Sequence, residues 1–165
     1  MRFRQLDQIL ELQPGKRIVA VKRLEPHEEY LKDHFPGFPV MPGVLMLEAM
    51  FQAGAWLVYA SEEFRYAMVV LKEARNIKFA DFVEPGEQLI VTAEILGQDG
   101  PLVKLKAQGT VRESVAVSGR LLVERFNEGD RDPVRAMTDT LSTLELRRLF
   151  RQLAPSAVHE GHSPH

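Results

Sequence analysis

Residues 33–52, DHFPGFPVMPGVLMLEAMFQ, join a stiffened loop to the most apolar run of the chain. Pro36, Pro39 and Pro42 fix three φ angles, and Gly37 and Gly43 can adopt backbone conformations closed to other residues. The prolines also push Phe35, Phe38 and Met41 towards extended conformations. A helix is expected from residue 42 or 43 to 61, since proline at a helix start forfeits no hydrogen bond. Val44, Leu45, Leu47, Met50, Phe51, Ala55, Leu57 and Val58 are spread around all of its faces. A helix that is apolar all round is buried all round. One sheet covers only one side, so the curl of the sheet or a second subunit is expected to cover the rest.

Working outward, the segments on either side read as strands. Residues 4–12 form a weak helix or an extended lead-in, residues 13–15 (QPG) a turn, and residues 16–24 (KRIVAVKRL) a strand. Ile18, Ala20 and Lys22 share one of its faces, with Val19 and Val21 on the other. After the helix, residues 66–73 and 74–82 read as two strands, or as one with a bulge, before the turn VEPG at 83–86. Strands are expected at 88–96, 102–112 and 115–126, with a hairpin turn at 98–101 and a join near 113–114. One long helix against several antiparallel strands is an α+β layout. Residues 127–133 (NEGDRDP) read as a charged linker. A peripheral amphipathic helix is expected over 137–153, built on Met137, Leu141, Leu144, Leu149, Phe150 and Leu153 and started by Thr138 or Asp139. The expected division is a domain at 1–130 and a C-terminal helix with a flexible tail at 131–165.

Bulk properties narrow the function classes. A chain of 165 residues suffices for one domain with a real core. Its net charge of -2 gives no general electrostatic case for nucleic acid. The absence of cysteine excludes disulfides, thiolate catalysis and cysteine-based zinc sites. The start, MRFRQLDQILEL, has no continuous apolar run before a small-residue cleavage site and reads as mature chain. The run 44–60 contains Glu48 and Gln52 and is marginal for a membrane span, so a soluble cytoplasmic protein is expected.

Two residues of the opening stretch carry chemistry. His34 lies in the rigid loop, and histidine is the side chain whose ordinary pKa lies near neutrality. Glu48 sits about a turn inside the apolar helix, where burial is expected to raise the pKa of its carboxyl. A base, an acid and the free N–H groups of a helix start near Gly43 together suit proton abstraction next to a carbonyl. The plainer readings are a histidine that caps loop backbone, and a Glu48 that faces solvent or pairs with an arginine such as Arg75. Gln52, four residues on, either steadies Glu48, bridges to loop backbone or makes a plain interhelical hydrogen bond. His27 reads as surface, and His159, His162 and His165 support no more than adventitious metal binding. Lys16, Arg17, Lys22, Arg23, Lys32, Arg75 and Lys78 form a mild basic rim or, more simply, a solvated surface.

The segment HFPGFPVMPGVLMLEAMFQ resembles the signature of the (3R)-hydroxyacyl-acyl-carrier-protein dehydratases, a hotdog-fold family. The 14-residue step from His34 to Glu48 fits the catalytic pair of that family. Residues 75–79 (RNIKF) and 83–89 (VEPGEQL) resemble its later segment, and the likeness spans roughly residues 6–126. The resemblance implies dehydration of a 3-hydroxyacyl thioester, carried on the phosphopantetheine of acyl carrier protein, to the trans-2-enoyl thioester. It casts His34 as base, Glu48 as acid and Gly43 as the N–H donor to the thioester carbonyl, with Phe38, Phe51 and Gln52 at the substrate. It implies no cofactor and no metal. It also implies a homodimer, or a trimer of such dimers, whose sites take His34 from one subunit and Glu48 from the other. Glutamate at 48 favours the plain dehydratase over the relative that also isomerises the double bond. The chain departs from the pattern at Asp33, where glycine is usual, at Phe38, at Phe51, where alanine is usual, in its first residues and in the added C-terminal helix. Alternatives are another hotdog activity on acyl thioesters, thioesterase or enoyl hydratase, or a non-catalytic acyl-binding protein.

Overall fold

The computed structural model describes residues 4–26, 28 and 40–154. The lead-in takes the extended alternative: β1 (Gln8–Gln13) turns through residues 14–16 into β2 (Arg17–Arg23). Gly15 has φ 79°, in the left-handed region that glycine enters without strain, and this lets the turn close. Helix α1 (Gly43–Ser61) follows, with Pro42 immediately before it as expected. Of the two alternatives for 66–82 the structure takes the single bulged strand, β3 (Met68–Phe79), whose pairing with the last strand shifts register at 71/73 and 75/78. Asn76 at the second shift has φ 54°, a conformation asparagine tolerates better than most residues, and the strand bends there without breaking. β4 (Gln88–Asp99), β5 (Leu102–Val111) and β6 (Ser114–Phe126) complete the set. The β5–β6 turn falls on residues 112–113, one position earlier than expected, with both residues at positive φ. The strands form one antiparallel sheet in the order β1-β2-β4-β5-β6-β3.

Helix α1 lies against this sheet. Gly54 marks the close approach: a Cβ there would stand 2.6 Å from Leu105 Cδ1 of β5. Burial of α1 is complete on every face from Gln52 to Tyr59. Near its C-terminal end α1 is met by the chain's own helix α2 (Ala136–Leu153), where the sequence offered only the curl of the sheet or a second subunit. Phe150 of α2 sets its ring 5.9 Å from Trp56 and 5.3 Å from Phe64, and Leu153 and Ala154 are buried beside it. The N-terminal half of α1 is not covered in this way: Val44 is 68% exposed, and Leu45, Leu47 and Phe51 are half-buried. By length and composition α1 could cross a membrane, but most of it is buried within the fold.

The expected charged linker is instead two 3-10 turns, Glu128–Asp130 and Pro133–Arg135. Asp139 does not cap its own helix as expected. It accepts the N–H groups of Glu128 and Gly129 at 3.0 and 2.6 Å and so holds the preceding turn against α2. Of the expected apolar stripe, Phe150 and Leu153 face the core, whereas Met137, Leu141 and Leu144 are exposed. Lys22, placed with the basic surface by the sequence, is buried. It is compensated by Glu28, whose carboxylate accepts from Nζ at 2.7 Å.

Candidate functional site

An α-helix leaves its first N–H groups without partners inside the helix. At the start of α1 the N–H groups of Leu45 and Met46 reach back to the Pro42 carbonyl, at 3.0 and 3.3 Å. Among the described residues no side chain caps this end and no acidic residue occupies the first turn. The N–H groups of Gly43 and Val44 therefore precede the intrahelical ladder at the positive end of the helix dipole.

A cavity of about 290 Å³ opens at this helix start. Val40, Met41, Gly43 and Met46 line one side, and residues 79–82, which leave the end of β3, line the other. Phe79 and Phe82 are 53% and 51% exposed at its edge. A Cβ on Gly43 would stand 3.1 Å from the Phe79 ring, so glycine there lets the aromatic ring lie against the backbone of the helix start. The lining is mainly apolar, with backbone donors of the helix start beside it, the combination that suits a small apolar ligand carrying one carbonyl.

Glu48 lies one turn further along α1 and is half-buried. Gln52 Nε2 donates to Glu48 Oε1 at 3.0 Å, and the backbone N–H of Gln5 donates to Gln52 Oε1 at 2.9 Å. Gln52 is 1% exposed. An N–H can only donate, so it fixes which end of the amide is the carbonyl, and the NH₂ end must then face Glu48. Gln52 contacts the Glu48 carboxyl, as the first of its readings has it, and its other end meets the backbone of the N-terminal segment in place of the loop. Arg75, the alternative partner for Glu48, pairs with Glu73 of its own strand at 2.8 Å. Phe51 is half-buried and packs against the core, and it does not line the cavity at the helix start. His34 and Phe38 lie outside the described residues, as do His27, Asp33 and the three histidines of the tail. Among the described residues no cluster of histidine, aspartate and glutamate could hold a metal ion.

Sequence reasoning missed Val40, Met46, Phe79 and Phe82 as cavity residues. Phe79 lay inside a stretch whose likeness was noted; Phe82 carried no signal beyond being an aromatic residue near a turn. Also missed was Arg112 in the β5–β6 turn, whose guanidinium bonds to Asp81 at 3.0 Å and to Glu87, behind the cavity wall. The hydrogen bond from Arg112 holds the Glu87 carboxyl below its ordinary pKa.

A family model described as the FabA-like domain matches residues 1–120. The chain belongs to this family. Curated relatives agree: it is 38% identical over 120 residues to the 3-hydroxyacyl-(acyl-carrier-protein) dehydratase FabZ of Syntrophomonas wolfei, spanning 73% of this chain and 83% of that one. It is 40% identical over 119 residues to the FabZ of Bacillus cereus, spanning 72% and 83%. Solved structures of low identity share the fold. The dehydratase heterocomplex ApeI:P from Xenorhabdus doucetiae superposes with a TM-score of 0.62 at 18% identity, covering 81% of this chain and 90% of that one. The zebrafish thioesterase superfamily member 2 gives 0.56 at 18% identity, covering 72% and 80%. This FabA-like chain therefore has the hotdog fold, a central helix wrapped by an antiparallel sheet, with a helix added at its C-terminal end. The fold neighbours include a dehydratase and a thioesterase, so the fold alone does not choose between those chemistries.

Proposed function

We propose that this chain is a 3-hydroxyacyl-acyl-carrier-protein dehydratase, in which His34 takes the proton next to the thioester carbonyl and Glu48 protonates the departing hydroxyl. The observation that carries the reading is Glu48 itself. It is a carboxyl held by Gln52 one turn inside a helix whose start, capped by no side chain among the described residues, opens on an apolar cavity. The FabZ relatives named above supply the reaction class and its carrier.

The chemistry follows from the parts. A thioester carbonyl seated at the helix start gains negative charge as the neighbouring proton leaves, and N–H groups aimed at that oxygen stabilise it. The hydroxyl two carbons from the carbonyl is a poor leaving group until it is protonated, and a positioned carboxylic acid supplies that proton. Water departs, and the double bond forms between the second and third carbons. The reading includes the (3R) configuration, a trans product, and a homodimer whose sites take His34 and Glu48 from different subunits. Thioester hydrolysis would instead need a water-activating carboxylate and would not need the pairing of His34 with Glu48.

The test uses synthetic (3R)-3-hydroxyacyl thioesters, with formation of the conjugated enoyl thioester followed by its ultraviolet absorbance. Wild type is expected to turn over, and His34→Ala to fall by roughly 10²–10⁴-fold with its fold intact. Near wild-type turnover in His34→Ala would remove the base assignment. Free thiol released without enoyl product would replace dehydration by hydrolysis.

A further inference from the structure

The cavity wall at residues 79–82 continues into a loop that returns to β4. Its backbone is pinned at intervals. Ala80 N–H donates to Ala116 O at 2.8 Å, Met41 N–H to Val83 O at 2.9 Å, and Gly86 N–H to Leu24 O at 2.8 Å. Between and beyond these pins the loop meets one guanidinium. Arg112 donates to Asp81 Oδ2 at 3.0 Å and to Glu87, and its NH2 reaches the Phe82 carbonyl at 3.5 Å. Glu87 also accepts the N–H of Glu84 at 2.8 Å, so a single arginine ties both ends of the loop together.

The position of Arg112 is an unfavourable one. Residues 112 and 113 have φ of 51° and 66°, the mirror-image geometry of a two-residue hairpin, which Asn-Gly or Gly-Gly would form with less strain. Backbone held in this region by a residue that does not favour it is a reason to ask what the side chain does. Here the side chain crosses from the β5–β6 turn to the loop that walls the cavity.

We infer that Arg112 is a specificity-determining clasp: by tying Asp81, the Phe82 carbonyl and Glu87 together it holds the wall that carries Phe79 and Phe82 against the helix start, and so limits the acyl chain the cavity admits. The inference rests on the reading of this cavity as the acyl site. Arg112 positions the wall and does not touch the reacting atoms. Its side chain is 49% exposed, so water and salt reach the clasp and the wall is held without being sealed.

The test is Arg112→Gly. Glycine relieves the positive φ while removing the guanidinium, so relief of strain offsets part of the loss of the ion pairs, and a cooperative melting transition checks that any change in selectivity has no general loss of structure behind it. Two readouts are compared with wild type. One is kcat/KM for 3-hydroxyacyl thioesters of four, eight and twelve carbons. The other is binding of butanoyl- and decanoyl-pantetheine by titration calorimetry, which needs no turnover. The ratio of long-chain to short-chain preference should rise in the variant, by about fourfold for each further methylene admitted. Amide hydrogen exchange across residues 80–87 should quicken. Asp81→Asn and Glu87→Gln leave the turn untouched and should move the ratio the same way, which keeps the test valid if Arg112→Gly folds poorly. Turnover with unchanged length ratios in all three variants would overturn the clasp and leave the dehydratase reading standing. A shifted pantetheine-binding ratio in a protein that never forms enoyl product would do the reverse.

Discussion

Gln52 acts through both ends of its amide. Its carbonyl is claimed by the Gln5 N–H, so its NH₂ group is left facing Glu48. Replacing it with leucine, of similar bulk, removes both bonds at once. The buried Gln5 N–H then lacks an acceptor, at a cost of about 1–3 kcal/mol in stability. Glu48 loses the donor that orients its carboxyl, and kcat is expected to fall roughly ten- to hundredfold with KM little changed. A folded Gln52→Leu enzyme with normal kcat would show that the amide does not position the acid. The Glu87 carboxyl permits a second prediction, with its sign set by the partner. Arg112 lowers its pKa in the folded protein, with the Glu84 N–H acting in the same direction and Asp81 opposing. A group with a depressed folded pKa contributes stability that is present above the unfolded value and lost as pH falls through the folded one. The melting temperature of wild type should therefore exceed that of Glu87→Gln at neutral pH, and the gap should close only below the ordinary carboxylate range. A gap that persisted unchanged to strong acid would mean that Glu87 contributes by its shape and not by its charge. At this scale the contact of Gln52 with Glu48 was legible in the sequence, because a carboxylate and an amide four apart in an apolar helix are conspicuous. It did not disclose Arg112, whose partners are brought to it only by the fold.

The two helices divide the work between site and scaffold. The first half of α1 carries Glu48 and the cavity. The second half is locked by β5 at Gly54 and by Phe150 of α2 at Trp56. The start of α1 was legible because Pro42-Gly43 permits few alternatives, and its end at Ser61 followed from the apolar run. The role of α2 was not legible, because it carries apolar residues on more than one face. Nothing in the sequence says that Phe150 and Leu153 turn inward while Met137, Leu141 and Leu144 stay out. For β3 the sequence left two strands or one bulged strand open, since bulges interrupt the alternation that strand reading relies on, and pairing with β6 carries the single strand through. Phe150→Ala tests the division. Removing a ring packed between Trp56 and Phe64 should cost about 3–5 kcal/mol in denaturant unfolding, while turnover by the folded fraction at low temperature stays close to wild type. A large fall in kcat without a loss of stability would move α2 from scaffold to site.

On the scale of the whole molecule, the sheet ends at β3, a 12-residue strand that pairs on one side only among the described residues. Edge strands of this length present a row of N–H and C=O groups that pair readily with another chain. Leu71 on this strand, Phe79 at its end and Val44 on α1 are exposed, and Leu45, Leu47 and Phe51 are only half-covered. These features favour a two-fold assembly through the β3 side, in keeping with the proposal that each site takes His34 from one subunit and Glu48 from the other. A two-fold interface is self-complementary, so both sites of a dimer form by the same contacts. Hybrids between His34→Ala and Glu48→Gln subunits then hold one site with both changes and one with neither. After full subunit exchange of an equal mixture, half the dimers are hybrids with one intact site each, and activity should return to about a quarter of wild type. Sites contained within single subunits would give no recovery, however complete the exchange. Sedimentation equilibrium supplies the independent check: a monomer at the concentrations used for the assay would sink the shared site directly, and a dimer that shows no recovery would place both groups in one subunit.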